Sequence, residues 1–180
     1  MVSTGMFRRV DTLGRVVLPV DLRRKLRWRQ SSLIEVFSAP DNVICLKKYA
    51  TMGADHELAQ NFAESMSQAS KCTVCVSDMD QIIAVAGAGD VKTSLLKKDI
   101  SDELEKAIEG RKKVVTGRVP IIASDEPDYN AYSHTLINPI ISKGDALGAV
   151  VLLSKDTDMD DSMALLANAA ALFLSDALAM

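Results

Sequence analysis

At 180 residues, 48% hydrophobic and 25% charged, the chain is too apolar to be disordered and too short for two large domains. No run of about 18 apolar residues is present to cross a bilayer, and Met1 to Arg15 carries arginines without the apolar core of a signal peptide, so a cytoplasmic protein is expected. The net charge of −3 hides an asymmetry: residues 1–49 hold ten Lys/Arg against four Asp/Glu and residues 50–180 hold eleven against twenty, giving +6 and −9.

A basic segment fused to an acidic one points to a polyanion-binding module attached to a partner that leaves the polyanion alone. Within the basic segment, Phe7-Arg8-Arg9-Val10 and Arg15-Val16-Val17-Leu18 are β-prone runs. They flank Asp11-Thr12-Leu13-Gly14, whose glycine is free to take positive φ, so a hairpin is predicted. Pro19 suits a helix's first turn and Asp21 its positive end, which predicts a short helix over 19–26. Leu22 and Leu26 share one face of it, leaving Arg23, Arg24 and Arg27 on others. Two further β-prone runs, 33–37 and 43–46, are joined through Pro40-Asp41-Asn42, completing a β-β-α-β-β order. About 50 residues without disulfide or metal bury too little surface to be comfortably stable alone, and dimerisation is the natural remedy.

The ordered string Ser3-Thr4-Gly5, Arg8-Arg9-Val10-Asp11, Leu13-Gly14-Arg15-Val16-Val17-Leu18-Pro19, Leu22-Arg23-Arg24-Lys25-Leu26 and Leu46-Lys47-Lys48-Tyr49 resembles the AbrB-type swapped-hairpin DNA-binding domain. The resemblance implies an intertwined β-barrel built from two chains, with arginines of hairpin and helix on double-stranded DNA. Carried over position by position, it implies DNA contacts at Arg8, Arg15, Arg23 and Arg24, with Arg9 and Arg27 beside them. Guanidinium groups suit that role because they pair with phosphates and can grip guanine O6 and N7 bidentately. The chain departs from the family at Arg27-Trp28-Arg29-Gln30-Ser31-Ser32, where a glycine, an aliphatic residue and a Gly-Asp turn are usual. Trp28 is expected in the dimer core, and Arg29 is a further candidate for phosphate.

Ala50-Thr51-Met52-Gly53-Ala54 breaks the apolar periodicity and sets expected domains of 1–53 and 54–180. From Asp55, Leu58, Phe62, Met66 and Ala69 form one stripe of a helix. Strands are predicted at 72–77, 81–86, 113–116, 132–141 and 146–153, and helices at 94–98 and 101–109. Ser101 is the N-cap of the second, although Leu104 stands where a capping box needs Glu or Gln. A last helix over 159–178 places Met163, Leu166, Ala170, Phe173 and Ala177 in a packing seam. The order is α+β, an antiparallel sheet flanked by helices. With Val74-Cys75-Val76-Ser77-Asp78 and the pair Asn138-Pro139-Ile140-Ile141 and Gly148-Ala149-Val150-Val151, it resembles a GAF domain. That resemblance implies a sensor domain with a small-molecule pocket whose ligand no residue identifies, and the two-domain layout as a whole resembles sporulation regulators, which implies a tetramer of swapped dimers joined by this domain.

Other chemistry is set aside at the level of spacing. Cys72-Thr73-Val74-Cys75 lies on a strand, where residues three apart point to opposite faces, and no second pair completes a zinc site. His56 and His134 have no nucleophile to serve. Gly87-Ala88-Gly89 lacks the rest of a phosphate loop, and Asp125-Glu126-Pro127-Asp128 lacks EF-hand order. No cofactor, metal or enzymatic activity is expected. The expected function is a DNA-binding transcription regulator, nucleoid-associated and linked to sporulation or transition-state genes, as activator or repressor. An antitoxin-like interaction module is the alternative, because swapped-hairpin domains also neutralise toxins.

Overall fold

The computed structural model describes residues 4–26, 28, 32, 34–48, 56–87, 94–116, 118–123, 132–156 and 158–177. The chain divides into two compact units, Met1–Tyr49 and Ala50–Met180. The junction 50–54, Arg27, Arg29 and the acidic loop 125–128 lie outside the described residues, as do Ala88 and Gly89.

In the first unit, helix α1 (Val20–Lys25) follows Pro19, whose extended backbone sets it at the N-cap. Strands β1 (Ile34–Ala39) and β2 (Val43–Lys48) pair antiparallel from Ile34↔Lys48 to Ala39↔Val43. Asp41 and Asn42 turn the chain at positive φ, the conformation their short side chains tolerate best among non-glycine residues. The two predicted arms before α1 are not strands here: residues 4–10 and 15–19 run outside any ladder, and only the turn between them is closed by hydrogen bonds.

The second unit is a five-stranded antiparallel sheet. Strands β3 (Thr73–Ser77), β4 (Ile82–Ala86), β5 (Val114–Thr116), β6 (His134–Ser142) and β7 (Asp145–Ser154) lie in the order β4-β3-β7-β6-β5. Antiparallel strands usually alternate apolar and polar residues because one face is wet. Here Val74-Cys75-Val76, Ile82 to Ala86 and Ala149 to Leu153 are continuously buried, so both faces must be covered. Val74, Val76, Ala84, Leu136, Val150 and Leu152 meet helices α2 (His56–Ser70) and α4 (Asp161–Ala177) on one side. Cys75, Val85, Ile137, Val151 and Leu153 meet Leu95, Ile121, Tyr132 and helix α3 (Asp102–Glu109) on the other.

Two expectations change. The helices α2 and α4 reach the sheet through Ala59, Ala63 and Met66 and through Ala164, Ala167, Ala170, Ala171 and Leu174. The predicted stripes contribute Met66 and Ala170 to that face, whereas Ala69 and Phe173 are exposed and Leu58, Phe62, Met163 and Leu166 sit at its margin. Alanine lets a helix backbone approach the sheet closely, and a reading weighted to large side chains turns the inferred face toward its edge. Phe62 and Phe173 instead stack on each other, centroids 5.2 Å apart. The helix predicted over 94–98 ends early: Ser94 and Leu95 are helical, and Lys97 takes positive φ. Edge strand β4 captures the backbone that follows: Ile82 N–H donates to Lys98 O at 2.9 Å and Lys97 N–H to Ile82 O at 2.8 Å. Ser101 caps α3 as expected, its Oγ accepting from Leu104 N–H at 3.1 Å while donating to Pro120 O at 2.7 Å.

Gly148 marks the tightest crossing of the sheet, since a Cβ there would sit 1.8 Å from the carbonyl oxygen of Ser77. Gly148→Ala is expected to lower stability by about 2 to 3 kcal/mol, because backbone must move. Gly144→Ala, where positive φ is the sole obstacle and the space is open, is expected to cost only about 1 kcal/mol. Urea unfolding midpoints of the two variants check the order.

Candidate nucleic-acid interface

The turn between the two N-terminal arms is built by one carboxylate. Asp11 Oδ1 accepts from the N–H groups of Leu13 at 2.9 Å and Arg15 at 2.8 Å, and Asp11 Oδ2 accepts from Arg15 Nε at 2.8 Å. Backbone bonds close the same loop, from Asp11 N–H to Arg15 O and from Gly14 N–H to Asp11 O, both 3.0 Å. Gly14 takes φ +74°, which an L side chain rarely adopts. The Arg15 side chain is thereby held at its Nε while 70% exposed, so the rest of its donor fork faces solvent from a fixed base. The Arg15 N–H, first, and then its guanidinium and the Leu13 N–H hold the Asp11 carboxyl below the usual carboxylate range.

The remaining candidates stand on the same unit. Arg8 and Arg9 are exposed on the first arm, where Arg8 Nη1 donates to the Phe7 carbonyl at 2.8 Å. Arg24 is exposed on α1, whereas Arg23 is half-buried, with Nε 3.3 Å from Leu18 O. Arg27 falls outside the described residues, and half-buried Trp28 donates its backbone N–H to Arg23 O at 2.8 Å.

Burial in this unit is the observation sequence reasoning only approached. No described residue of 4–48 is buried. Phe7 is 89% exposed, Val17 73%, Leu13 72% and Ile44 69%, with Val10, Val16, Val20, Leu26, Val36 and Leu46 also open. A folded unit does not leave so large an apolar set open to water.

The second unit holds no comparable cluster of chemistry among the described residues. Cys72 lies in the core under α2 and α4, and Cys75 in the one on the opposite face of the sheet. Burial pushes the Cys75 thiol up to about 12 and raises that of Cys72, which leaves both protonated at neutral pH. His134 Nδ1 lies 3.1 Å from Asp158 Oδ1, a contact between β6 and the approach to α4.

Comparison with known proteins supports both units. A family model described as Stage V sporulation protein T C-terminal, transcription factor, matches residues 56–179, and one described as Antidote-toxin recognition MazE, bacterial antitoxin, matches residues 7–53. Stage V sporulation protein T of Bacillus subtilis (strain 168) is 35% identical over 164 residues, 89% of either chain. Transition state regulatory protein AbrB of the same organism is 49% identical over 49 residues, 27% of this chain and 50% of its own. In fold, the chain is similar to the second GAF domain of DevS from Mycobacterium smegmatis, with TM-score 0.55 and 14% identity over 68% of this chain and 91% of that one. The cofactor binding GAF domain of the nutrient sensor CodY from Clostridium difficile gives TM-score 0.50 and 17% identity over 64% and 81%.

Because the folded carboxyl of Asp11 titrates below its unfolded value, the turn's support is fully present at neutral pH and is lost as pH falls through the folded value. Amide exchange should show this directly. Leu13 and Arg15 are expected to lose protection in Asp11→Ala at neutral pH and in the wild type on acidification.

Proposed function

The chain belongs to the stage V sporulation protein T family of transcription factors, and on that premise we propose that it grips double-stranded DNA through Arg8, Arg9, Arg15, Arg23, Arg24 and Arg27. The observation that carries the proposal is the coincidence, on one unit of +6 charge, of exposed arginines with an apolar set left exposed among the described residues. A second copy supplies the cover: the arms at 4–10 and 15–19, outside any ladder here, pair with the partner's and interlock into a swapped-hairpin barrel. The domain that does so spans 1–53, and residues 54–180 form the sensor and assembly domain. Closing the barrel sets the arginines of two chains on one face. Phosphate pairing then gives affinity, and any arginine reaching a base edge gives selectivity. Asp11 lowers the ordering cost for Arg15, because part of its side chain is already fixed.

The function is regulation of transcription rather than catalysis, in the cytoplasm and on the nucleoid, and its genes are those of sporulation or the transition state. The GAF fold offers the space between its sheet and α3 for a small-molecule signal. Assembly beyond the dimer uses the outer face of α4, where Leu165, Leu172 and Phe173 are exposed at helical spacing. Joining two dimers there makes a tetramer. The match of residues 7–53 to an antitoxin model keeps a second reading in view, in which the same barrel neutralises a toxin. It is disfavoured by the folded 131-residue unit that follows, which a toxin-binding tail does not require.

Arg15→Ala and Arg23→Ala are each expected to weaken binding to a promoter-length duplex by about 1 to 3 kcal/mol with an unchanged circular dichroism spectrum. Each phosphate left without its arginine lowers the slope of log K against log salt by about 0.9. Wild-type affinity in both variants would remove the assignment, and a copurifying toxin would favour the second reading. Independently, Leu165→Glu combined with Leu172→Glu should halve the sedimenting mass from tetramer to dimer while leaving the melting temperature close to wild type.

A further inference from the structure

The acidic unit is not acidic everywhere. Of its eleven Lys/Arg, five fall between 106 and 118 (Lys106, Arg111, Lys112, Lys113 and Arg118), against the single carboxylate of Glu109. That window carries +4 in a unit of −9, so the rest of the unit carries −13. The five residues are all exposed. They lie at the end of α3 and around β5, the strand at one edge of the sheet. Among the described residues none of them has a carboxylate within ion-pair distance.

The backbone fixes where this cluster stands. Gly110 N–H donates to Lys106 O at 2.9 Å and Arg111 N–H to Ile108 O at 3.1 Å, closing the last turn of α3. Arg111 then takes φ +52°, a left-handed conformation usually left to glycine, and the chain leaves the helix axis with Lys112 and Lys113 in the open. The negative end of a helix favours nearby cations, which accounts for Lys106 and Arg111. It does not account for Lys112, Lys113 or Arg118, which lie beyond the helix. Repulsion among five like charges is relieved when a polyanion lies across them.

We propose that this edge of the sensor unit is a second DNA-backbone contact, holding phosphates of the same duplex that the N-terminal arginines grip. The inference rests on the DNA-binding reading and assigns it a further surface. The ligand is the phosphodiester backbone, read as charge without base specificity. The surrounding −13 confines the contact, because duplex laid elsewhere on the unit is repelled.

The test is titration of full-length protein with a labelled promoter-length duplex across a salt series. It compares wild type, the triple variant Arg111→Ala/Lys112→Ala/Lys113→Ala, the charge-keeping variant Lys112→Arg/Lys113→Arg, and Arg23→Ala. The expected result is a loss of about tenfold or more in the triple variant, with a salt slope lower by roughly 2 to 3. Melting temperature and sedimenting mass should stay at wild-type values and the charge-keeping variant should bind as wild type. Unchanged affinity and slope in the triple variant, while Arg23→Ala is weakened, overturns this surface and leaves the DNA-binding reading standing. A lowered sedimenting mass also overturns it, since the cluster would then be docking on the acidic surface of another copy. Absence of duplex binding by the wild type overturns both.

Discussion

Among its described residues the first unit buries none of its apolar side chains, and much else follows from that constraint. Phe7, Val10, Leu13, Val16 and Val17 are side by side on a segment that makes no ladder, and Ile44 and Leu46 are open on a hairpin with one free face. Some 50 residues expose too large a share of their surface for the hydrophobic effect to offset the conformational entropy of folding. On the proposed reading, a second copy removes both deficits at once by supplying the missing strands and the missing cover. Folding, dimerisation and the display of arginines then become one event, and an arginine scan and a dimer-breaking substitution report on coupled quantities.

The second unit solves the opposite problem. Its sheet is covered on both faces, by α2 and α4 on one side and by α3 with its flanking segments on the other. The alanine-lined contacts of α2 and α4 hold those helices close and, Met66 and Leu174 aside, leave the larger side chains at the margin or outside. That leaves Leu165, Leu172 and Phe173 exposed, while the α3 side keeps an aliphatic interior in which Tyr132 hydroxyl and Thr73 Oγ1, 3.2 Å apart, are a polar pair. The two faces of one sheet are thus covered differently, by alanine-lined helices on one side and by a largely aliphatic layer on the other.

Charge distributes the same division along the chain. The first unit carries +6 and the second −9, and on the proposed reading the first draws duplex toward it while the second resists indiscriminate adhesion. Asp11 shows how an acidic residue serves a basic surface, since its carboxylate ties the 11–15 turn and anchors Arg15 at one nitrogen.

The sequence by itself determined what depends on neighbours in the chain. The turn at Asp11 to Gly14, the start of α1 after Pro19, the Ser101 cap and the strands of the second unit are set by local backbone preference and by runs of burial, and those signals are written in consecutive residues. The arginines form an ordered motif of the same local kind, and the structure adds that Arg8, Arg9, Arg15 and Arg24 are exposed. Tertiary structure decided what depends on residues distant in the chain. It chose the alanine faces of α2 and α4, because only the opposing sheet reveals how close a helix comes. It ended the helix predicted over 94–98 at Leu95, because strand β4 took the backbone bonds of Lys97 and Lys98 that a longer helix needed. It also left the first two arms without a ladder, since the sequence can show that a segment favours β structure and cannot show which chain holds its partner.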